Sequence, residues 1–215
     1  MNLTPALLPE IIDAIDAVIE KNADEVTELD QAIGDGDHVT NLQRGIAALK
    51  PQAGELAGLE WPAAWQKIGM TMMSTVGGAS GSLYGTFFIA MSKAAAGKPM
   101  SLAAFAEAFS QGVESIKKRG RADAGEKTML DVMIPVADYL QKAAAEGASL
   151  PEVLQTLPGI AIAGMESTRD MIATKGRASF LGERTIGHID AGAKTMQLMI
   201  CAVVEVLQRL SAAPA

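Results

Sequence analysis

Apolar residues recur along the chain at the three-to-four-residue spacing of amphipathic helices and nowhere in sustained alternation. Ile11, Ile15, Val18, Leu29 and Ile33 fall on one stripe, with Asn22 and Val26 between them. That predicts one long helix, opened by Thr4-Pro5 or Pro9 and ending near Gly34. Val39, Leu42, Ile46 and Leu49 predict a second, stopped near Pro51, and Trp61, Trp65, Ile68 and Met72 a third, stopped by Gly77-Gly78. Leu83, Phe87, Ala90 and Met91 predict a fourth, stopped by Gly97 and Pro99. Ser101 caps a fifth, with Leu102, Phe105, Phe109, Val113 and Ile116 inward. It ends in Lys117-Lys118-Arg119-Gly120, cations in the last turn and a C-cap glycine. Met129, Val132, Met133, Val136 and Leu140 predict a sixth, kinked by Pro135. Ser149 and Pro151 open a seventh that runs to about Thr174, with an interruption at Pro158-Gly159. Met196, Met199, Val203, Leu207 and Leu210 predict the last. The expected fold class is all-α: eight amphipathic helices, no sheet.

The connectors between these helices are of two kinds. The second (Pro51 to Leu59), fourth (Gly97 to Ser101) and sixth (Glu146 to Leu150) are ordinary. The first is Gly34-Asp-Gly-Asp-His38, and the third is Gly77-Gly-Ala-Ser-Gly81. The fifth is Gly120-Arg-Ala-Asp-Ala-Gly-Glu-Lys127. The seventh is Lys175-Gly-Arg-Ala-Ser followed by Leu181-Gly-Glu-Arg-Thr-Ile-Gly-His-Ile-Asp190. In an up-and-down antiparallel array the odd-numbered connectors share one end. Acids, glycine loops, basic side chains and both histidines therefore converge on one rim.

Composition narrows the function classes. Of 215 residues 49 % are apolar and 20 % charged, which is a globular balance. The net charge of −7 comes without any basic tract, so nucleic acid is not an expected partner. The single Cys201 lies in an apolar run and has no internal partner, which fits a reducing, cytoplasmic setting. The N-terminus lacks the basic-then-apolar pattern of a signal peptide, and the longest apolar run, Leu198 to Val204, is too short to span a bilayer.

Candidate chemistry starts at Leu29 to His38, where Asp30, Asp35 and Asp37 crowd around two glycines. Clustered carboxylates repel unless a cation sits among them, and hard oxygen ligands suit Mg²⁺ shared with phosphates. The plainer alternative makes Asp35 and Asp37 turn and N-cap residues and Asp30 a solvated helix residue. The Gly77 to Gly81 loop precedes a helix, a setting for backbone amides to meet phosphate with Ser80 adding a hydroxyl; a helix–helix turn needing positive φ is the alternative. Neither a Walker loop nor a dinucleotide fingerprint is present. Arg177, Arg184, Lys127 and His38 are candidates to neutralise phosphate, against the alternative of solvated rim charges, which suits Arg184 and Lys127 better. His38 can donate to phosphate, neutral or charged; His188 reads as loop packing. Asp190 either caps the last helix or meets ribose or adenine, and Met129 packs on a base or in the core.

These segments resemble the nucleotide-binding L subunit of dihydroxyacetone kinase. The resemblance rests on Gly34 to His38, Gly77 to Gly81 followed by Leu83-Tyr-Gly-Thr86, Lys127-Thr-Met129, Gly176 to Arg184, and Ile186-Gly-His188. It runs from about residue 5 to 210, so a single nucleotide-binding domain over 1–215 is expected. It implies a closed barrel of eight antiparallel helices with nucleotide at one rim. It implies two Mg²⁺ ions on Asp30, Asp35 and Asp37, bridging the phosphates of ADP or ATP. Nucleotide contacts are implied for His38, Thr40, Asn41, Ala79, Ser80, Gly120, Met129, Arg177, Asp190 and Gly192, with Arg177 and His38 closest to the chemistry.

The implied activity is that of a phosphotransferase subunit acting on an alcohol group. A separate K-like subunit holds the keto-sugar covalently, and this chain supplies only the donor. A stand-alone L subunit points to the phosphotransferase-system kind, in which a phosphohistidine protein, the M subunit, rephosphorylates bound ADP. The alternatives are an ATP-dependent kinase for another short keto-sugar such as erythrulose, a nucleotide-sensing module on a transcription regulator, and the nucleotide domain of a fatty-acid kinase. Oligomeric state, a homodimer included, stays open. Val39, Ser82, Ala191 and Glu126 depart from the family's usual Gly, Pro, Pro and Asp, and none of these is an implied metal ligand.

Overall fold

The structure, a computed structural model, describes residues 3–212. A short 3-10 turn, Pro5–Leu7, leads into α1 (Leu8–Lys21), followed by α2 (Ala23–Ile33), α3 (His38–Leu49), α4 (Ala53–Ala57) and α5 (Trp61–Thr75). Then come α6 (Gly78–Ala95), α7 (Leu102–Gly120), α8 (Leu130–Ala145), α9 (Leu150–Ser167) and α10 (Ala191–Ala212). No strand occurs among the described residues, so the all-α expectation holds.

The packing order makes a ring. The first rod, α1, packs on α3, α3 on α5, and each helix from α5 to α9 on the next in sequence; α10 returns to α1. Ring closure gives every amphipathic stripe two neighbours and turns all stripes toward a shared interior. Ile19, Leu42, Ile116, Leu130, Met133 and Leu140 are fully buried there. An aromatic run links three rods: Trp65 of α5 to Phe105 of α7, Phe105 to Phe109, and Phe109 edge-on to Phe87 of α6 at 5.3 Å. No described helix is long and apolar enough to cross a membrane.

Four boundaries differ from the sequence expectation. The first long helix breaks at Asn22, which leaves helical geometry (φ −106°, ψ 12°) while its side-chain amide donates to the Val18 carbonyl at 2.7 Å. An amide-bearing side chain that competes for the backbone ends α1 there, and α2 restarts to lie against α10 and α3. The second connector is not plain loop, because α4 forms within it and buries Leu56 completely. Helix α9 is not split at Pro158-Gly159 but ends sooner, at Ser167. Arg121 rather than Gly120 takes the left-handed cap of α7 (φ 48°).

Two contacts show how closely the rods approach. Gly69 of α5 and Gly85 of α6 face each other, so that a Cβ at Gly85 would lie 2.9 Å from the Gly69 carbonyl oxygen and 2.7 Å from Met73 Cβ. Pro135 of α8 leaves the Asp131 carbonyl without its helical amide. Gly164 of α9 packs against that carbonyl and against the Cα of Val132.

The Gly69–Gly85 contact gives a prediction. Gly85→Val forces α5 and α6 apart and costs about 2 kcal/mol, within the usual range for overpacking. A urea titration checks it: the midpoint falls with an unchanged slope, and an unchanged midpoint would mean the rods do not meet as described.

Candidate functional site: a four-connector rim

The first connector is built around Asp30, on the last turn of α2. Gly34 closes that turn with its backbone pressed on the Asp30 carboxylate, where a Cβ would overlap it. Gly36 takes φ 75° and reverses the chain. Asp30 Oδ2 then accepts the backbone N–H of His38, at 3.0 Å, as α3 begins. Asp37 stands at the N-cap of α3 but makes no side-chain cap bond, and Asp35 is exposed. Neither acid is spent as the plain turn-and-cap alternative requires. Asp30, Asp35 and Asp37 can bring one oxygen each within 4.8 Å of one another, a hard-oxygen donor set that fits Mg²⁺.

His38 is mostly buried. Its Nε2 lies 2.9 Å from the hydroxyl of Thr195 on α10, and that hydroxyl lies 3.1 Å from the Gly192 carbonyl. Whether the Thr195 hydroxyl donates to Nε2 or to the Gly192 carbonyl sets which ring nitrogen carries the proton. Burial pushes the imidazole pKa below its usual value, against the opposing pull of Asp30 and Asp37.

The third connector meets the first directly. Gly77 is the N-cap of α6 and packs on the Asn41 side-chain amide, with the Arg44 guanidinium beside it. Gly78 turns the chain with φ 65°, and Gly78 to Gly81 are the first turn of α6, not a loop ahead of it. The free amides of a helix start thus sit at Ala79 and Ser80, next to the exposed Thr40 and buried Asn41 of the first turn of α3.

The seventh connector reaches the acids from the other side. Gly176 (φ 61°) opens a pair of 3-10 turns over Arg177–Thr185, broken at Gly182 (φ 56°). Arg177 Nη2 lies 2.9 Å from Asp35 Oδ2, so this predicted phosphate ligand does meet the acid cluster. Arg184 is exposed, with only a 3.4 Å contact to the Leu181 carbonyl. His188 is half-buried in the connector, and its carbonyl is in use, as described next.

Lys127 overturns its expected place as a solvated rim charge. It is 2 % exposed, and its Nζ donates to the carbonyls of Thr168 and His188 at the two ends of the seventh connector. Burial lowers its pKa, opposed by Asp190 and Asp170. Asp131, absent from the sequence candidates, holds the fifth connector by accepting the amides of Gly125 and Thr128. Its one sequence signal is an acid inside the apolar run Leu130 to Met133. Glu126 adds a hydrogen bond from the Thr174 hydroxyl at 2.9 Å and an ion pair with Lys175 at 3.2 Å.

Asp190 caps α10, accepting the Ala193 amide at 2.7 Å. A Cβ on Gly192, in the next turn, would lie 3.8 Å from buried Met129, and Gly120 packs near Leu83. All four glycine-rich connectors therefore meet at one end. Thr195, Thr168, Asp131 and Arg44 are the participants that sequence spacing missed.

The Asp190 carboxyl sets a pH dependence. Burial raises its pKa from 3.8 to about 6, against the Ala193 amide and Lys127, which lower it. Between those values the folded chain keeps a proton that the unfolded chain has released, so stability falls as pH rises through that window. Asp190→Asn removes the effect. In metal-free buffer its melting temperature, relative to wild type, should be about 5–10 °C higher at neutral pH than near pH 4. A difference independent of pH would contradict the buried-carboxyl account.

Residues 32–205 match the DAK2 domain family. Over 187 residues the chain is 41 % identical to the PEP-dependent dihydroxyacetone kinase 1, ADP-binding subunit DhaL, of Listeria innocua, covering 87 % of this chain and 89 % of that protein. It is 38 % identical to the corresponding PEP-dependent ADP-binding subunit of Escherichia coli, over 85 % and 88 % of the two chains. Among solved structures, the native dihydroxyacetone kinase of C. freundii superposes with a TM-score of 0.71 at 27 % identity, over 93 % of this chain. The match is 34 % of that polypeptide, so this chain spans about a third of it. A form of that kinase with AMP-PNP and Mg²⁺ gives the same TM-score at 23 % identity and bears on the fold. With its helical ring, its rim of four glycine-rich connectors and these similarities, the chain belongs to the DAK2 domain family.

Proposed function

We propose that this chain is the ADP-binding, phosphoryl-donor subunit of a dihydroxyacetone kinase. In this reading it passes phosphate to dihydroxyacetone held by a separate K-like subunit, in the cytoplasm. The donor is the phosphoenolpyruvate-dependent phosphotransferase system, through a phosphohistidine protein. The observation that carries the reading is the acid cluster of Asp30, Asp35 and Asp37 at the start of α3, the helix whose Asn41 packs on Gly77 at the start of α6. Carboxylates and helix-start amides, side by side, are the two halves of a metal–phosphate site. The names of the Listeria innocua and Escherichia coli relatives agree with it.

Asp30, Asp35 and Asp37 would hold Mg²⁺, as two ions. The metal would supply charge neutralisation between the phosphate oxygens. The chain's own residues then have separable roles. Amides of Ala79 and Ser80, with Thr40 and Asn41, receive the phosphates. Arg177 swings between Asp35 and the transferred group and offers a planar fork to its oxygens. His38 ties the start of α3 to α10 and keeps the acids and Gly192 in register. Gly120, Met129, Asp190 and Gly192 hold the nucleoside. The rim carries donor-side groups only, and in-line transfer needs an acceptor oxygen presented from outside.

The partner's footprint is marked by apolar exposure on the seventh connector. Phe180 is 87 % exposed, three residues from Arg177, with Ile172 and Ile186 also exposed. An aromatic held in open water beside a catalytic arginine is the type of group that anchors a protein interface.

Two experiments test this. Calorimetric titration of Asp37→Asn with ADP should lose the Mg²⁺-dependent part of the affinity, at least tenfold, with the circular dichroism spectrum unchanged; full retention would remove the metal assignment. Sugar phosphate should form only when the chain, a K-like subunit and the donor are combined. Phe180→Ala should raise the partner concentration needed for half-maximal rate about tenfold, typical of an interface anchor, and leave ADP affinity alone. Turnover by the purified chain by itself would overturn the division of labour.

A further inference from the structure

Lys127 lies outside the set of residues assigned to metal, phosphate or nucleoside, yet it is among the most constrained side chains at the rim. Its backbone adopts φ 60°, a left-handed conformation uncommon for a residue with a Cβ. Such a conformation persists when the surroundings over-determine it. Here it lets the side chain run inward, where it is 2 % exposed. Nζ donates to the Thr168 carbonyl, just past the end of α9, and to the His188 carbonyl, two residues before the start of α10's cap. Charges around it are Asp190, Asp170 and Asp131, with Arg169 opposing. Two of its protons are thus committed to backbone carbonyls that bracket the seventh connector.

The brace connects to the proposed nucleoside site through short paths. Thr168 Oγ1 accepts the backbone N–H of Asp190 at 3.1 Å, and Asp190 caps α10 at Ala193. On the other side, Lys127 stands two residues before Met129, and Asp131 fixes the amides of Gly125 and Thr128 on either side of it. Met129 and Gly192 pack against one another, a Cβ on Gly192 lying 3.8 Å from Met129. A phosphate role is closed to Lys127, since its ammonium points into the protein and not to the acid cluster.

We infer that Lys127 is a positioning residue: its buried ammonium braces the fifth connector against both ends of the seventh, and so fixes the spacing between Met129 and the Asp190–Gly192 turn where the nucleoside binds. This rests on the nucleotide reading above, and its test separates the two. Lys127→Met keeps the stem and removes the charge and donors. In the folded variant, affinity for Mg²⁺–ADP should fall at least thirtyfold. Mn²⁺ binding without nucleotide, read by electron paramagnetic resonance, should stay within twofold of wild type, because the acid cluster is on the first connector. Hydrogen exchange should rise across residues 168–190 and not in α5 to α7.

Thr168→Val is the second arm: it leaves the carbonyl that Lys127 uses but removes the hydroxyl that receives Asp190. It should give a smaller loss of the same pattern, and it carries the test should Lys127→Met fail to fold. Unchanged ADP affinity in both folded variants would overturn the brace. So would loss of Mn²⁺ and ADP binding together, which means a general loosening. Wild-type protein that does not bind Mg²⁺–ADP sinks the donor reading instead, and the exchange pattern then still decides whether Lys127 braces the connectors.

Discussion

Among the described residues each rod of the ring covers its apolar stripe against two neighbours, and the last returns to the first. The contact of α10 with α1 supplies that closure. Hydrophobic burial at roughly 25 cal/mol per Å² is non-directional, but a ring of rods that must all face inward is a directional solution to it. Once the ring closes, chain direction alternates around it and the odd connectors come to one end. His38 and Thr195, 157 residues apart in sequence, then make one hydrogen bond. The rim is a consequence of how the core is buried.

At that rim the local problem is like charge. Two carboxylates about 4 Å apart repel by about 1 kcal/mol in water and several times more where solvent is partly excluded. The chain holds three together by spending backbone on them: the His38 amide on Asp30, the tight turn at Gly36, the Arg177 guanidinium on Asp35. An arrangement that accepts repulsion and then supplies one cation from a connector 140 residues away is not explained by turn formation alone. The proposed metal site accounts for it, with a cation among the acids.

Much of this was legible in the sequence, for a physical reason: helix periodicity and glycine-rich breaks are local, and parity converts local breaks into a shared location. The helix cores from Trp65 to Met72 and from Phe105 to Ile116 appear as their spacing implies. What failed was of two sorts. Side chains that compete with the backbone, as Asn22 does, shift boundaries by amounts that periodicity does not carry. Pro158 was absorbed inside a continuous α9, whereas Pro135 lies inside α8 as expected, with Gly164 of α9 packing on the carbonyl that Pro135 leaves free. The second sort was buried polar partnership. Lys127 looks like any rim lysine in sequence, and only its acceptors, 41 and 61 residues away, remove it from solvent. Asp131 and Thr195 are polar residues on helix faces otherwise committed to the core, a signal too common to read without the fold.

The two halves of the rim are built by different physics, and the difference suits their proposed tasks. The acid end is open: Asp35 and Asp37 are exposed and Arg177 reaches in from a mobile-length side chain that is itself mostly solvated. Charged phosphates and a hydrated ion have to enter and leave there, and an end already half in water loses little desolvation energy in letting them. The end proposed for the nucleoside is closed: Lys127, Thr168 and Asp131 are buried, and partly buried Asp190 is bonded to Thr168. Buried polar groups that are fully partnered hold one geometry, since losing any bond leaves a neighbour unsatisfied at about 1–3 kcal/mol. A donor subunit that retains its nucleotide while phosphate comes and goes needs this asymmetry: a rigid grip on the part that stays, and an open, electrostatically poised end for the part that moves.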